Sequence, residues 1–386
     1  MAIRAAVVGT GFIGPAHVEA IRRVGGEVVG LCGSSPERAR AKAEALDLKR
    51  VYRDYDELLN DPSVDVVHIT TPNVYHFSQA KAALEAGKHV VCEKPLALTL
   101  REGMELLSLG EQRGLVHAVA FNIRFYPLVR HARALIQQGA LGEIRLVHGS
   151  YLQDWLLLET DWNWRVVPEV GGALRAVGDI GSHWIDLVTF ITGRRIEEVF
   201  ADCATFIPVR RRPLHSAETF AGEQAQSGAW AEESVRTEDY AAVLFRFEGG
   251  ARGSMVVSQV SSGRKNRISF EINGSRSSVA WNGEEPNVLW IGHRDRPNEL
   301  LVKDPALEHP DSARYTGYPG GHAEGFPDTF RMFLRSVYEY IARRDVGVDF
   351  PTFADGVAEL AVSEAILKSA SEGRWVRVDT SWRGQA

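Results

Sequence analysis

The stretch Val7-Val8-Gly9-Thr10-Gly11-Phe12-Ile13-Gly14-Pro15-Ala16-His17-Val18 decides how this chain is read. A short apolar run over 3–8 ends in G-x-G-x-x-G, after which Ala16, Val18, Ala20, Ile21 and Val24 recur at roughly helical spacing. A strand, a glycine turn and a helix in that order is the context in which the motif binds a dinucleotide. Gly9 permits the tight turn, Gly11 lets a pyrophosphate approach the backbone, and Gly14 lets helix and strand pack closely. The unpaired N–H groups of the first helical turn then face the phosphates. Gly9, Gly11, Phe12, Ile13 and Gly14 are therefore candidate cofactor contacts.

The glycine turn opens a series. Apolar runs over 27–32, 65–69, 89–92 and 116–121 alternate with helical stretches over 36–46, 75–86 and 99–113, which predicts repeated βαβ units and a parallel sheet through about residue 122. Beyond it the pattern changes. Residues 127–138 predict a helix and 143–151 a strand. Short strand-like runs over 240–247, 253–260, 267–273, 278–282 and 288–291, broken by Gly-Gly, Ser-Ser-Gly and Asn-Gly turns, predict an antiparallel meander. Helices over 328–343 and 353–371 close the chain. The prediction is an α/β protein of two domains, 1–122 and 123–386. The polar segment 208–238 reads as a long loop, and its run Arg210, Arg211 and Arg212 as part of a solvated surface.

Composition narrows the class. With 386 residues, 45% apolar and 24% charged, the chain carries enough core for two globular domains. A formal net charge of −6 gives no global attraction to nucleic acid or to an anionic membrane. Cys32, Cys92 and Cys203 lie far apart and at no metal-binding spacing, so neither a disulfide scaffold nor a zinc site is expected. The N-terminus shows no signal peptide and no run is long enough for a membrane span, so a cytoplasmic protein is expected.

Several residues carry chemistry. The second strand ends in Gly33-Ser34-Ser35-Pro36-Glu37-Arg38, with Gly33 at the place where an NAD site usually has an acid for the ribose 2′-hydroxyl. Ser34, Ser35 and Arg38 suit a 2′-phosphate, which favours NADP and leaves NAD possible. Ser35 also reads as a helix cap. Thr71-Pro72-Asn73-Val74-Tyr75-His76 and Glu93-Lys94-Pro95 follow the third and fourth apolar runs, where a parallel sheet binds ligands. Thr71, Pro72, Asn73, His76, Glu93 and Lys94 join the cofactor candidates; a structural Lys94–Glu93 pair is the alternative for that lysine. In Gly178-Asp179-Ile180-Gly181-Ser182-His183, Asp179 and His183 are four apart. On one helix they would share a face and set an imidazole beside a carboxylate.

Together with Asn122-x-Arg124-x-x-Pro127, Trp164-Arg165 and Gly178-Asp179-x-Gly181-x-His183-x-x-Asp186, these motifs resemble the glucose–fructose oxidoreductase/inositol dehydrogenase (Gfo/Idh/MocA) family over nearly the whole chain. The resemblance implies an N-terminal Rossmann domain and a C-terminal α/β domain with a large, mostly antiparallel open sheet. It implies Lys94, Asp179 and His183 as the catalytic trio, Asn122 and Arg165 as further cofactor contacts, and a sugar or cyclitol as substrate. The Gly33–Arg38 stretch is similar to that of NADP-using anhydrofructose reductases. The polar insertion and the tryptophans of Asp154-Trp155 and Trp162-Asn163-Trp164 depart from the family pattern.

The expected reaction is hydride transfer between nicotinamide and a secondary alcohol or ketone, with His183 moving the proton and Lys94 stabilising charge on the reacting oxygen. Trp155 and Trp162 are candidates to stack on a sugar ring, and Arg124 and His322 are further candidates at the substrate. A non-catalytic dinucleotide sensor on the same fold is the competing reading, against which the intact Lys94/Asp179/His183 set argues. Metal-dependent hydrolysis lacks a ligand cluster. A homodimer or homotetramer is expected, paired through the outer face of the meander, where Val243, Phe245 and Phe247 stand against Leu244.

Overall fold

The structure, a computed structural model, describes residues 2–214 and 229–384. Two compact units emerge. The first runs to Asn122 and takes up Thr329–Leu360 and the residues from Ser381; the second holds Ile123–Asp328 and Ala361–Thr380.

The first unit is built on a five-stranded parallel sheet of β1 (Arg4–Val8), β2 (Glu27–Cys32), β3 (Val66–Ile69), β4 (His89–Cys92) and β5 (His117–Val119), in the order β2-β1-β3-β4-β5. Its inner strands read as continuous apolar runs because both faces are covered; all four residues of β3 are buried. Helices Ile13–Arg23, Pro36–Ala45, His76–Glu85 and Leu100–Gln112 form the crossovers. The strand order reverses between β1 and β3, so their carboxyl ends, Gly9 and Thr70-Thr71, flank the switch point where such sheets bind ligands. The helix Phe326–Ala342 contributes Tyr338 to this unit, and Thr352 bridges to Ala118.

The second unit carries a nine-stranded sheet. Its strands are β6 (Ile144–Leu152), β7 (Ile196–Ala204), β10 (Tyr240–Phe247), β11 (Arg252–Ser258), β12 (Arg267–Gly274), β13 (Ser277–Asn282), β14 (Val288–His293), β15 (Glu299–Val302) and β16 (Val376–Arg377), in the order β15-β14-β13-β12-β6-β11-β10-β7-β16. All pairs are antiparallel except β6 with β11. Val243, Phe245 and Phe247 all point into the core. The indole of Trp184, from helix Ser182–Thr192, stacks on Phe245 and donates to the Ser269 carbonyl at 2.9 Å. Gly149 makes room for it: a Cβ there would lie 2.7 Å from the indole nitrogen and 2.0 Å from the Ser269 oxygen.

Two expectations are corrected. The outer face of the sheet is less apolar than the alternation suggests, because only one phase faces out: Leu146, Leu244 and Val256 are exposed there beside Ser150, Ser269, His148 and Glu271. The polar segment is not simply a loop. Its described ends form a hairpin of β8 (Val209–Pro213) and β9 (Trp230–Ser234), paired from Val209↔Ser234 to Pro213↔Trp230. Charge hid the strands, since Arg212 pairs across to Glu233 and Arg211 lies over the Trp230 ring. Residues 215–228 of that segment lie outside the described residues.

Candidate active site

In the first unit, Gly9 sits at φ +116°, and a Cβ there would stand 2.6 Å from the Thr70 carbonyl oxygen. A Cβ at Gly14 would stand 2.7 Å from the Gly9 oxygen. Gly11 is different: a Cβ there meets nothing within 4 Å. Two glycines are thus required by packing, and the third leaves backbone open at the start of helix Ile13–Arg23, as a pyrophosphate needs. Phe12 is exposed beside it.

At the end of β2, the Ser35 hydroxyl caps helix Pro36–Ala45 by accepting from the Arg38 amide at 3.3 Å. Ser34 and the Arg38 side chain face solvent. Packing also bears on Gly33, where a Cβ would come within 2.8 Å of the Thr10 methyl and 3.1 Å of the Ala39 Cβ.

The ends of β3 and β4 are stapled by His76. Its fully buried ring sits between two carbonyls, with Nδ1 2.7 Å from the Pro95 oxygen and Nε2 2.9 Å from the Thr71 oxygen, and in its neutral form donates to one of them. Burial holds this imidazole below its ordinary pKa. Thr71 donates to Gln79, and the buried Asn122 amide donates to Thr329 at 2.7 Å. These three candidates tie down the segments that follow β3, β4 and β5. Asn73 is buried beside them, next to the half-buried Pro72.

Glu93 ends a buried polar chain that the sequence reading missed. Its Oε1 lies 3.0 Å from His17 Nε2, His17 Nδ1 lies 2.9 Å from His68 Nδ1, and His68 Nε2 lies 2.8 Å from the Tyr338 hydroxyl. Both imidazoles are fully buried, and burial, with His17 adding to it, pushes the His68 pKa well down. Glu93 Oε2 also accepts from the Lys94 amide at 3.2 Å, so the chain ends at the backbone of the candidate catalytic lysine. A signal was present: His17 shares the buried face of its helix with Val18 and Ile21, and His68 stands inside the apolar run of β3. Lys94 itself is half-buried at the strand end.

In the second unit, Asp179 lies in the first turn of the unbroken helical run that carries His183. It sits in a π-helical turn, Val177–Gly181, and helix Ser182–Thr192 follows. Its carboxylate accepts from Arg165 Nε at 3.0 Å and from Gln259 Nε2 at 2.8 Å. The Arg165 guanidinium lies over the Trp164 ring, 4.3 Å from its centre, and 5.9 Å from that of Trp155. Arg165, expected at the cofactor, is thus placed beside Asp179. His183 is half-buried, with its ring 6.3 Å from that of Tyr151. A line of hydrogen bonds joins Tyr151 to Trp155: both the Tyr151 hydroxyl and the Gln153 amide donate to Asn266 Oδ1, at 2.7 and 2.8 Å, and Trp155 Nε1 donates to Gln153 Oε1 at 2.9 Å. Trp155 and Trp162 pack partly against the small cluster of Leu156, Val166 and Val235. A held carboxylate, an imidazole, amides and indole faces in one unit suit a polyhydroxylated ring.

Two weaker substrate candidates differ in burial. Arg124 is buried against Asp186, with Nε 2.7 Å from Oδ2, and its guanidinium lies over Phe190. His322 is exposed, while its neighbour Glu324 is buried 2.9 Å from Lys303 Nζ. Among the described residues no group of three or more His, Cys, Asp or Glu side chains is arranged to hold a metal. The three cysteines are free, and no described helix is long and apolar enough to cross a membrane.

Comparison with known proteins shows the family. Residues 3–121 match the family described as "Oxidoreductase family, NAD-binding Rossmann fold", and residues 129–280 match "GFO/IDH/MocA C-terminal domain". Levoglucosan dehydrogenase of Pseudarthrobacter phenanthrenivorans is 32% identical over 398 residues, covering 96% of this chain and 97% of that one. A solved levoglucosan dehydrogenase in complex with NADH and levoglucosan superposes with a TM-score of 0.87 at 31% identity, covering 98% of this chain and 100% of that one. An inositol dehydrogenase homolog from Azotobacter vinelandii, complexed with NADH and myo-inositol, gives 0.85 at 28% identity, covering 98% of both chains.

Proposed function

The chain belongs to the GFO/IDH/MocA family of oxidoreductases, and from this premise we propose that it transfers a hydride between a nicotinamide dinucleotide and a secondary alcohol or ketone of a pyranose or cyclitol. The observation that carries the substrate class is the Asp179 carboxylate, held by Arg165 and Gln259 in a unit that also presents His183 and the indoles of Trp155 and Trp164. We assign the dinucleotide to the first unit, where the open backbone at Gly11 and the staples around Thr71 and Asn122 fit it, and the sugar to the second.

When bound, the nicotinamide supplies or accepts the hydride. In our assignment the chain's own groups handle the proton and the charge. Lys94 donates a hydrogen bond to the reacting oxygen and stabilises its negative charge. His183 takes the hydroxyl proton on oxidation and returns it on reduction. Asp179, fixed on two sides, accepts from substrate hydroxyls and orients the ring. The sugar and cyclitol relatives support the substrate class.

We further propose a preference for NADP. The exposed Ser34 hydroxyl and Arg38 guanidinium can meet a 2′-phosphate, and Gly33 brings no carboxylate to repel it. The NADH complexes named above belong to relatives. The free cysteines suit a reducing compartment, and we place the enzyme in the cytoplasm as a homo-oligomer. The test is a panel of pyranoses and cyclitols, following absorbance of reduced nicotinamide with NAD and with NADP. Turnover of at least one supports the reading. Tight cofactor binding with no turnover of any would favour the non-catalytic sensor.

A further inference from the structure

Arg210 lies in what the sequence presents as a charged surface run, yet its side chain is fully buried. From β8 its guanidinium reaches into the segment 156–161. Nη1 donates to the carbonyls of Leu158 at 2.8 Å and Asp161 at 3.0 Å, and Nη2 donates to that of Leu156 at 2.9 Å. Nη2 also lies 2.9 Å from the carboxylate of Asp239, itself fully buried. Asp239 is a hub. Its side chain accepts from Arg175 and from the Ile207 amide, and its carbonyl accepts from the Gln259 amide at 3.0 Å. Its neighbour Glu238, buried and pushed to a raised pKa by that burial, accepts from the amides of Arg175 and Val177 at 2.9 Å. The Asp179 amide in turn donates to the Arg175 carbonyl at 2.7 Å.

Three strips of backbone therefore meet at one buried pair. They are the segment between Trp155 and Trp162, the turn bearing Asp179, and Gln259, whose side chain grips the Asp179 carboxylate and whose carbonyl accepts from the Leu156 amide. Two arginines and two carboxylates out of water carry a large desolvation penalty, and a packed apolar cluster of the same volume serves stability as well. What the charged cluster supplies instead is direction: forked donors that fix carbonyls at defined places.

We propose that Arg210 and Asp239 are positioning residues for the sugar, holding the 156–161 segment and its flanking tryptophans in register with Asp179, so that the β8–β9 hairpin sets sugar affinity. This rests on the assignment of the sugar to the second unit. The hairpin that looked like an appendage is, in this view, a brace for the binding surface.

The test uses the full-length enzyme with Arg210→Met and Arg210→Lys. Lysine keeps a cation toward Asp239 but loses the fork that spans three carbonyls. Amide hydrogen exchange is followed across the chain, and KM for the best sugar, kcat and cofactor Kd are measured in the same preparations. The expected result is faster exchange confined to 153–164, a KM raised about tenfold in Arg210→Met and less in Arg210→Lys, with kcat and cofactor Kd within about threefold of wild type. Unchanged exchange in that segment, an unchanged KM, or loss of folding in both variants would overturn the proposal. A wild-type enzyme that turns over no sugar would count against the substrate assignment, and exchange in Arg210→Lys would still decide whether the brace exists.

Discussion

His17 and His68 meet nitrogen to nitrogen inside the first unit, Nδ1 to Nδ1 at 2.9 Å, so a single proton lies between them. In the uncharged arrangement every donor in the chain points one way: Tyr338 to His68, His68 to His17, His17 to Glu93. The glutamate beside the candidate catalytic lysine is thereby oriented from within the core. His17→Ala removes a partner from a buried carboxylate and is expected to destabilise the protein by about 1–3 kcal/mol, and Tyr338→Phe by about 1 kcal/mol. Urea unfolding of both variants checks this; wild-type midpoints in both would refute a role for the chain.

The same burial predicts how stability responds to acid. His68 and His76 have pKa values pushed down by burial, and those of His89 and His117 are pushed down to about 4. For these bases the unfolded chain binds protons more readily than the folded one. Their contribution is therefore complete above the ordinary imidazole pKa of about 6.5 and is lost as pH falls from there toward about 4. Melting temperature should stay level from pH 7 to 8 and fall steadily below about 6.5. A melting temperature flat down to pH 4.5 would contradict neutral, buried imidazoles.

Cofactor preference has a clean probe. Gly33→Asp is a poor one, because a Cβ there crowds Thr10 and Ala39. Ser34 and Arg38 are exposed and can be changed without that conflict. Arg38→Ala should weaken NADPH binding about tenfold with little effect on NADH, and Ser34→Asp should turn the preference toward NADH. Fluorescence titration reads both. Tighter binding of NADH than of NADPH by the wild-type enzyme would refute the preference.

Self-association is expected through the outer face of the large sheet, where Leu146, Leu244 and Val256 stand exposed. Light scattering should return a multiple of the 42.7 kDa chain mass, and Leu244→Arg with Val256→Arg should lower it. A wild-type protein that runs only at the chain mass would exclude the interface.

The alternation of apolar runs and helices made the parallel sheet legible, because strands buried on both faces announce themselves without any partner in view. The second sheet was half legible. Strands such as β10 have a clear period of two, whereas β7 places Glu197 and Glu198 next to Ile196 and hides its register. Arg210 was misread because a charge run gives no sign that one member turns inward to Asp239, 29 residues away. Tyr338 and Thr329 return to the first unit over more than 200 residues of intervening chain, which no local pattern can show. The Asp179–His183 spacing made their common helical run legible, whereas its π turn and the contacts of Asp179 with Arg165 and Gln259 left no mark in the local pattern.

The central claim is that Lys94 and His183 act in the chemistry of one reaction, and it is tested most directly by turnover of Lys94→Ala and His183→Ala on the best sugar found, with NADP binding titrated in the same preparations. Loss of a proton-transfer or charge-stabilising group typically lowers the rate by a factor of ~10²–10⁴. Each variant should melt cooperatively, bind cofactor within a few-fold of wild type and lose kcat by that order. A His183→Ala enzyme that keeps near-normal kcat would contradict the assignment of the proton to this imidazole.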